Sequence, residues 1–176
     1  MVGTAGAVAM DHDFHKKIYQ SNHSLSLDDR IKIYNNCFGE IKKIEKIQNI
    51  EAQKRGIDFK VENRIGKFFY VEEKVRLRRY PDFLIEYLSN AEKRRRGWVY
   101  KIMAQYLIYI SIPEREYRCM SAPAINALWR RYGRTWKARE YRRVECSTER
   151  LYTTVSLCIP WEEISRRVAI FHHGKY

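Results

Sequence analysis

The sequence has no CxxC pair and no finger-like cysteine spacing. Its four cysteines, Cys37, Cys119, Cys146 and Cys158, are scattered along 176 residues. That argues against a structural zinc site and leaves reduced core thiols of a cytosolic protein as the expectation. No run approaches the roughly 18 apolar residues of a membrane-spanning helix, and the longest apolar patch, YLIYISI, is strand-sized. The opening MVGTAGAVAM lacks a basic n-region and a long apolar h-region, so no signal peptide is read there. Internal repeats and low-complexity linkers are also missing. These absences give a soluble, cytoplasmic protein with no membrane partner as the expectation.

Acid is in short supply too. Against 34 Lys and Arg there are 21 Asp and Glu, a net charge of +13, whereas solubility alone usually needs a magnitude of roughly 2 to 8. Such an excess costs self-repulsion unless a polyanion is near, which points to nucleic acid or an anionic membrane surface. The 45% apolar and 14% aromatic content argues against disorder.

Residues 1–24 read as a flexible, polar lead-in to one domain over 25–176. His12 and His15 lie in DHDFH with no third ligand adjacent, and read as exposed polarity. Ser26 with Asp28 and Asp29 signals a helix start, and Ile31, Tyr34, Phe38 and Ile41 repeat at helical spacing. Gly39 and KKIEKIQNIEAQKRG leave the end of that helix undefined. PDFLIEYLSNAEKRRRG reads as a helix opened by Pro81 and closed by Gly97. WVYKIMAQYLIYISIP reads as helix turning into strand at Ile108–Ile112. SAPAINALWRRYGRTWKAREYRR reads as a helix broken near Gly133, YTTVSLCIP as a strand over Tyr152–Ile159, and PWEEISRRV as a final helix. Strand and helix mixed in this way predict an α/β or α+β sandwich.

GIDFKVENRIGKFFYVEEKVR, residues 56–76, reads as a hairpin with charge in its middle. Alternation puts Phe68, Tyr70, Glu72, Lys74 and Arg76 on one face of the second strand, and Phe69, Val71, Glu73 and Val75 on the other. A three-residue loop, Arg64 to Gly66, pairs Asn63 with Lys67, Val61 with Phe69, Phe59 with Val71 and Asp58 with Glu72. One register thus serves both core and charges. Facing carboxylates repel unless a divalent cation sits between them, and Mg²⁺ takes such hard oxygen ligands while keeping waters for phosphate and nucleophile. Lys74, on the same side, can offset charge on phosphate oxygens or orient a water. Glu73, among the apolar set, is expected at a sheet edge or in a structural pair, for instance with an arginine.

Asp58 followed by Glu72-x-Lys74 resembles the signature of the PD-(D/E)XK nuclease superfamily. QKRGIDFKV, FYVEEKVR, FLIEYLSN and GWVYKIMAQYLIY resemble an uncharacterised phage or prophage branch of it, over most of residues 50–112. The aspartate follows Ile57 rather than a proline, a departure common in the superfamily. The resemblance implies a restriction-endonuclease-like α/β fold, a central mixed sheet flanked by helices, with one or two metal ions, Mg²⁺ or Mn²⁺, and hydrolysis of nucleic-acid phosphodiesters. By position it makes Asp58 and Glu72 metal ligands and Lys74 the catalytic lysine. A further glutamate from the first helix would be Glu40, or Glu45 nearer the stripe, each with an ordinary surface role as its alternative. Gln53 matches a branch-like glutamine that orders the loop into the site, or is a loop residue without that duty.

Arg130, Arg131, Arg134, Lys137, Arg139, Arg142 and Arg143 interleave with Tyr132, Trp136 and Tyr141. Cations there neutralise phosphates and aromatic faces stack on bases, while the helical spacing of Trp129, Tyr132 and Trp136 puts at least one tryptophan in the core. Lys93, Arg94, Arg95 and Arg96 form a second cluster, which at a helix end would equally complement the dipole. The leading expectation is a nuclease acting on nucleic acid, DNA first, with a homodimer left open. Its alternatives are a catalytically inactive nucleic-acid-binding or regulatory protein on the same fold, and a phage-encoded inhibitor docking its basic face on an acidic partner.

Overall fold

The computed structural model describes residues 25–139, 141–147 and 152–176. The lead-in expected over residues 1–24, with His12 and His15, lies outside them. Helix α1, Leu27–Phe38, starts as the sequence signals: the Ser26 hydroxyl accepts the Asp29 N–H at 3.0 Å. It stops before Ile41, the last residue of the apolar stripe. Gly39, at φ +80°, leaves the helix, and its N–H still reaches the Asn35 carbonyl. Ile41 therefore belongs to strand β1, Ile41–Lys46, and the helix buries Ile33 rather than Ile31 beside Tyr34 and Phe38.

A short helix α2, Ile50–Lys54, leads into β2, Phe59–Asn63, and β3, Phe68–Arg76. Their register over Phe59–Glu62 is the one the hairpin pattern predicts: Phe59 faces Val71 and Val61 faces Phe69. Asp58 lies just ahead of β2, where its N–H also donates to Val71 O. Gly66 takes the positive φ, +77°, that the three-residue loop requires. After a long crossover, β6, Tyr106–Ser111, joins β3 in parallel, and β7, Glu116–Ser121, follows antiparallel. The last strand, β10, Ile170–Lys175, pairs with β7. The result is a six-stranded mixed sheet in the order β1-β2-β3-β6-β7-β10. Helix α1 covers one face, its Ile33, Tyr34 and Phe38 packing on Val61, Val71, Ile108 and Cys119.

The crossover holds the largest departure from the sequence reading. Residues 82–90, expected as helix, form strand β4, Asp82–Asn90. Its fully buried Phe83 and Ile85 alternate with half-buried neighbours and stand opposite Ile159 and Leu157 of β9, Thr153–Pro160. Strand pairing thus overrides a segment whose leucines and glutamate suit a helix. With β5, Arg95–Arg96, and β8, Arg143–Ser147, these strands make a second, antiparallel sheet in the order β5-β4-β9-β8. Lys93–Arg96 lie in the turn into β5 and its two residues, so no helix dipole accounts for them.

Trp98–Tyr100 form one 3₁₀ turn, all that remains of the helix expected before β6. Helix α3, Ala122–Ala138, is capped by Ser121 and runs unbroken through Gly133, while Arg143, expected to end it, belongs to β8. The final helix, α4, Trp161–Ser165, lasts barely more than one turn. Helix α3, α4 and the second sheet cover the other face of the mixed sheet, around Leu107, Tyr109, Met120, Trp129 and Trp136. Among the described residues no helix is long and apolar enough to cross a membrane, and the four cysteines form no disulfide with one another.

Candidate active site

Asp58 and Glu72 come together because Gly56 turns the chain sharply ahead of β2. Gly56 has φ +67°, and a Cβ there would stand 3.2 Å from the Ile102 Cα and 3.4 Å from Glu72 Oε2. The Asp58 backbone is pinned on both sides: its N–H donates to Val71 O at 2.9 Å and its carbonyl accepts the Ile47 N–H at 2.8 Å. Asp58 Oδ2 accepts the Glu73 N–H at 2.9 Å, which fixes the carboxylate against β3.

Glu72 is 4% exposed. Its Oε1 accepts from Lys74 Nζ, whereas Oε2 is buried with no hydrogen-bond partner. Burial pushes the Glu72 carboxyl up to about 7; Lys74 pulls against this, and the neighbouring Asp58 carboxylate adds to it. For Lys74, burial works against the ammonium, but Glu72, Asp58 and Glu86 outweigh it and hold the lysine above its ordinary value. An orphaned buried carboxylate oxygen beside a second carboxylate fits a hard divalent cation that keeps most of its waters.

Glu73 points the other way, into the α1 face. Arg30 holds it with two hydrogen bonds, Nε to Oε1 at 2.9 Å and Nη2 to Oε2 at 3.1 Å, and the Tyr34 hydroxyl donates to Oε1 at 2.5 Å. The arginine pair expected from the sequence is present. The sheet-edge alternative is not, since β3 lies between β2 and β6.

Beyond Lys74 the site opens. Lys74 Nζ stands 5.2 Å from the centroid of the Trp98 ring. Trp98 is held there because Gly97 presses its backbone onto β4, where a Cβ would meet Glu86 O at 2.3 Å. Trp98 and Glu86 line a cleft of about 460 Å³ with Lys54, Arg55, Ser89 and Lys101. Burial raises the Glu86 carboxyl, while Lys74 and the Trp98 N–H pull it back. Sequence reasoning missed these lining residues. Lys54 and Arg55, directly ahead of Gly56, carried a signal in their position; Glu86 was hidden by the helix reading of its segment.

The remaining expected residues divide. Glu40 does not join the carboxylates. It follows α1, its backbone meets Arg64 at the far end of the hairpin, and its side chain pairs with Arg64 Nη2 at 2.7 Å. Glu45 lies on β1 opposite Lys60. Gln53, on α2, donates to the Ile47 carbonyl at 2.6 Å, and Ile47 in turn holds the Asp58 carbonyl. It sits two hydrogen bonds from Asp58, by way of Ile47. Arg94, Arg95 and Arg96 are exposed, Arg96 lying over Tyr100. On α3, Trp129 and Trp136 are both core, 2% and 0% exposed, so neither is a stacking surface. Arg130, Arg131, Arg134 and Lys137 form its exposed face. Arg139 pairs with Glu163, Arg142 with Asp82 and Arg143 with Glu145.

No family model, curated protein or solved structure matches this chain. The site's own geometry therefore carries the reading. Among the described residues no group of three or more His, Cys, Asp and Glu is set to hold a metal; the candidate centre is a two-carboxylate one.

Proposed function

We propose that this chain is a metal-dependent nuclease of the PD-(D/E)XK type, built on a restriction-endonuclease-like core and hydrolysing DNA phosphodiesters. The observation that carries the reading is the meeting of Asp58, just ahead of β2, with Glu72 on β3. Lys74 is in contact with Glu72 and beside Trp98 and Glu86, which line a cleft that also holds cationic side chains. Asp58 and Glu72 Oε2 would hold Mg²⁺ or Mn²⁺. When bound, the ion supplies a Lewis acid and an activated water.

The chain's own residues do the rest. Lys74, kept protonated by three carboxylates, donates hydrogen bonds to a phosphate oxygen and stabilises the charge that grows there. Arg55 and Lys101 receive the flanking phosphates, with Lys54 beside them in an exposed pair with Glu51. Gly56, having no side chain, leaves free the space beside Glu72 Oε2 that a Cβ there would enter, at 3.4 Å.

Purified protein is expected to cut DNA with Mg²⁺, to stop in EDTA, and to lose about 100-fold or more in Lys74→Ala. Cleavage indifferent to Lys74→Ala and Asp58→Ala would overturn the proposal. One observation favours the second reading, an inactive binding protein on the same scaffold: among the described residues no third His, Cys, Asp or Glu joins Asp58 and Glu72 in a metal-holding group. That reading predicts salt-sensitive DNA binding unchanged by metal or by Asp58→Ala.

A further inference from the structure

The aromatic residues that the sequence offers as base-stacking surfaces on α3 are in the core, yet other large aromatics stand exposed beside the carboxylates. Phe68 is 47% and Tyr70 39% exposed. Both lie on the face of β3 that carries Glu72 and Lys74, because β3 alternates without interruption through this stretch. Four side chains thus stand in a row, Phe68, Tyr70, Glu72 and Lys74, about 6 to 7 Å apart. Two are partly exposed rings, and two belong to the proposed reaction centre.

The row has cations at both ends, and Glu62, opposite Phe68, is itself paired with Lys42. Lys60, opposite Tyr70 in the ladder, reaches over the Phe68 ring with Nζ 4.4 Å from its centroid. At the other end the row runs into the cleft of Lys54, Arg55 and Lys101. One segment ties the two ends together: the Gln105 N–H donates to Tyr70 O at 2.9 Å and the Met103 N–H to Arg55 O at 2.8 Å. Met103 itself is 60% exposed.

Rings lying open in a positively charged track are how proteins hold unpaired bases, because every base has a face to stack while phosphates follow the cations. A duplex hides those faces and offers only edges and backbone. We infer that the substrate is single-stranded DNA, its bases stacked on Phe68 and Tyr70 on one side of the carboxylates and its phosphates held by Lys54, Arg55 and Lys101 on the other. The inference rests on the nuclease reading for its choice of DNA, but it concerns binding.

The test is therefore binding without turnover. Fluorescence anisotropy in EDTA would compare a labelled oligo-dT strand with a duplex of equal length, for wild type, Phe68→Ala/Tyr70→Ala and Phe68→Trp/Tyr70→Trp, with melting curves to establish folding. The strand is expected to bind at least tenfold more tightly than the duplex. The alanine pair should lose about 10- to 100-fold on the strand and little on the duplex, while the tryptophan pair restores binding and shows quenched emission. Equal affinity for strand and duplex, tighter binding of oligo-U, or an alanine pair that binds like wild type would overturn the inference. So would a dimer that the alanine pair dissolves in protein that binds no strand. Strand binding without any cleavage would instead sink the nuclease reading and leave this one standing.

Discussion

Glu72 and Glu73 are neighbours on β3 and face opposite sides of the sheet, so each carboxylate meets a different environment. Glu73 is neutralised by Arg30 and Tyr34 on the α1 face. Removing Arg30 leaves a buried charge uncompensated, and Arg30→Ala is expected to cost about 3 to 5 kcal/mol in urea unfolding; Arg30→Met with Glu73→Gln should recover much of that loss. Glu72 has one oxygen without a partner and a carboxyl raised to about 7. Because the folded state favours its protonated form, its contribution is most favourable below the unfolded value of about 4.5. It is lost as pH rises from there through about 7, and is constant above that. Glu72→Gln should therefore raise the melting temperature at pH 8 by a few degrees and flatten its decline between pH 5 and 7. A Glu72→Gln melting profile that tracks wild type across this range would show that the carboxyl is not under this strain.

At the scale of elements, legibility followed how much of the partner lay nearby in sequence. The β2–β3 hairpin was readable to the residue because loop, core alternation and charge alternation all demand one register. The helix start at Ser26 and the strand β9 were readable from local chemistry as well. Strand β4 was not, because what decides it is pairing with β9 some seventy residues on, and Glu86 was lost with it. Strands β1 and β10 lack a clean apolar alternation, and β7 and β8, which do alternate, span only five or six residues each. Gly133 shows the same limit inside a helix. A helical glycine suggests a break, but here the Trp129 ring lies where its Cβ would be, with ring atoms at 2.9 Å. That ring is held among Tyr87, Tyr100 and Trp136. Alanine is the better helix former by about 1 kcal/mol, yet overpacking a fixed ring costs about 1 to 3 kcal/mol. Gly133→Ala is thus expected to lower the melting temperature; a rise would mean that the aromatic cluster yields.

For the whole molecule, the charge of +13 predicted a polyanionic partner but could not say which cations meet it. The fold separates them. Arg139 and Arg143, prominent in the sequence cluster, are paired with Glu163 and Glu145, whereas Arg55 and Lys101 line the cleft beside Lys74. Counterion release makes the distinction measurable, since each phosphate neutralised on a single strand adds about 0.7 to the steepness of log K against log salt. Arg55→Ala/Lys101→Ala should lower that steepness by about 1.4, the sum of two such contacts. Arg139→Ala/Arg143→Ala, which removes the same formal charge from paired positions, should change it little. A long-range field acting through net charge alone would make the two pairs indistinguishable. A titration of oligo-dT binding across salt concentrations therefore decides whether the substrate follows the cleft or merely the charge.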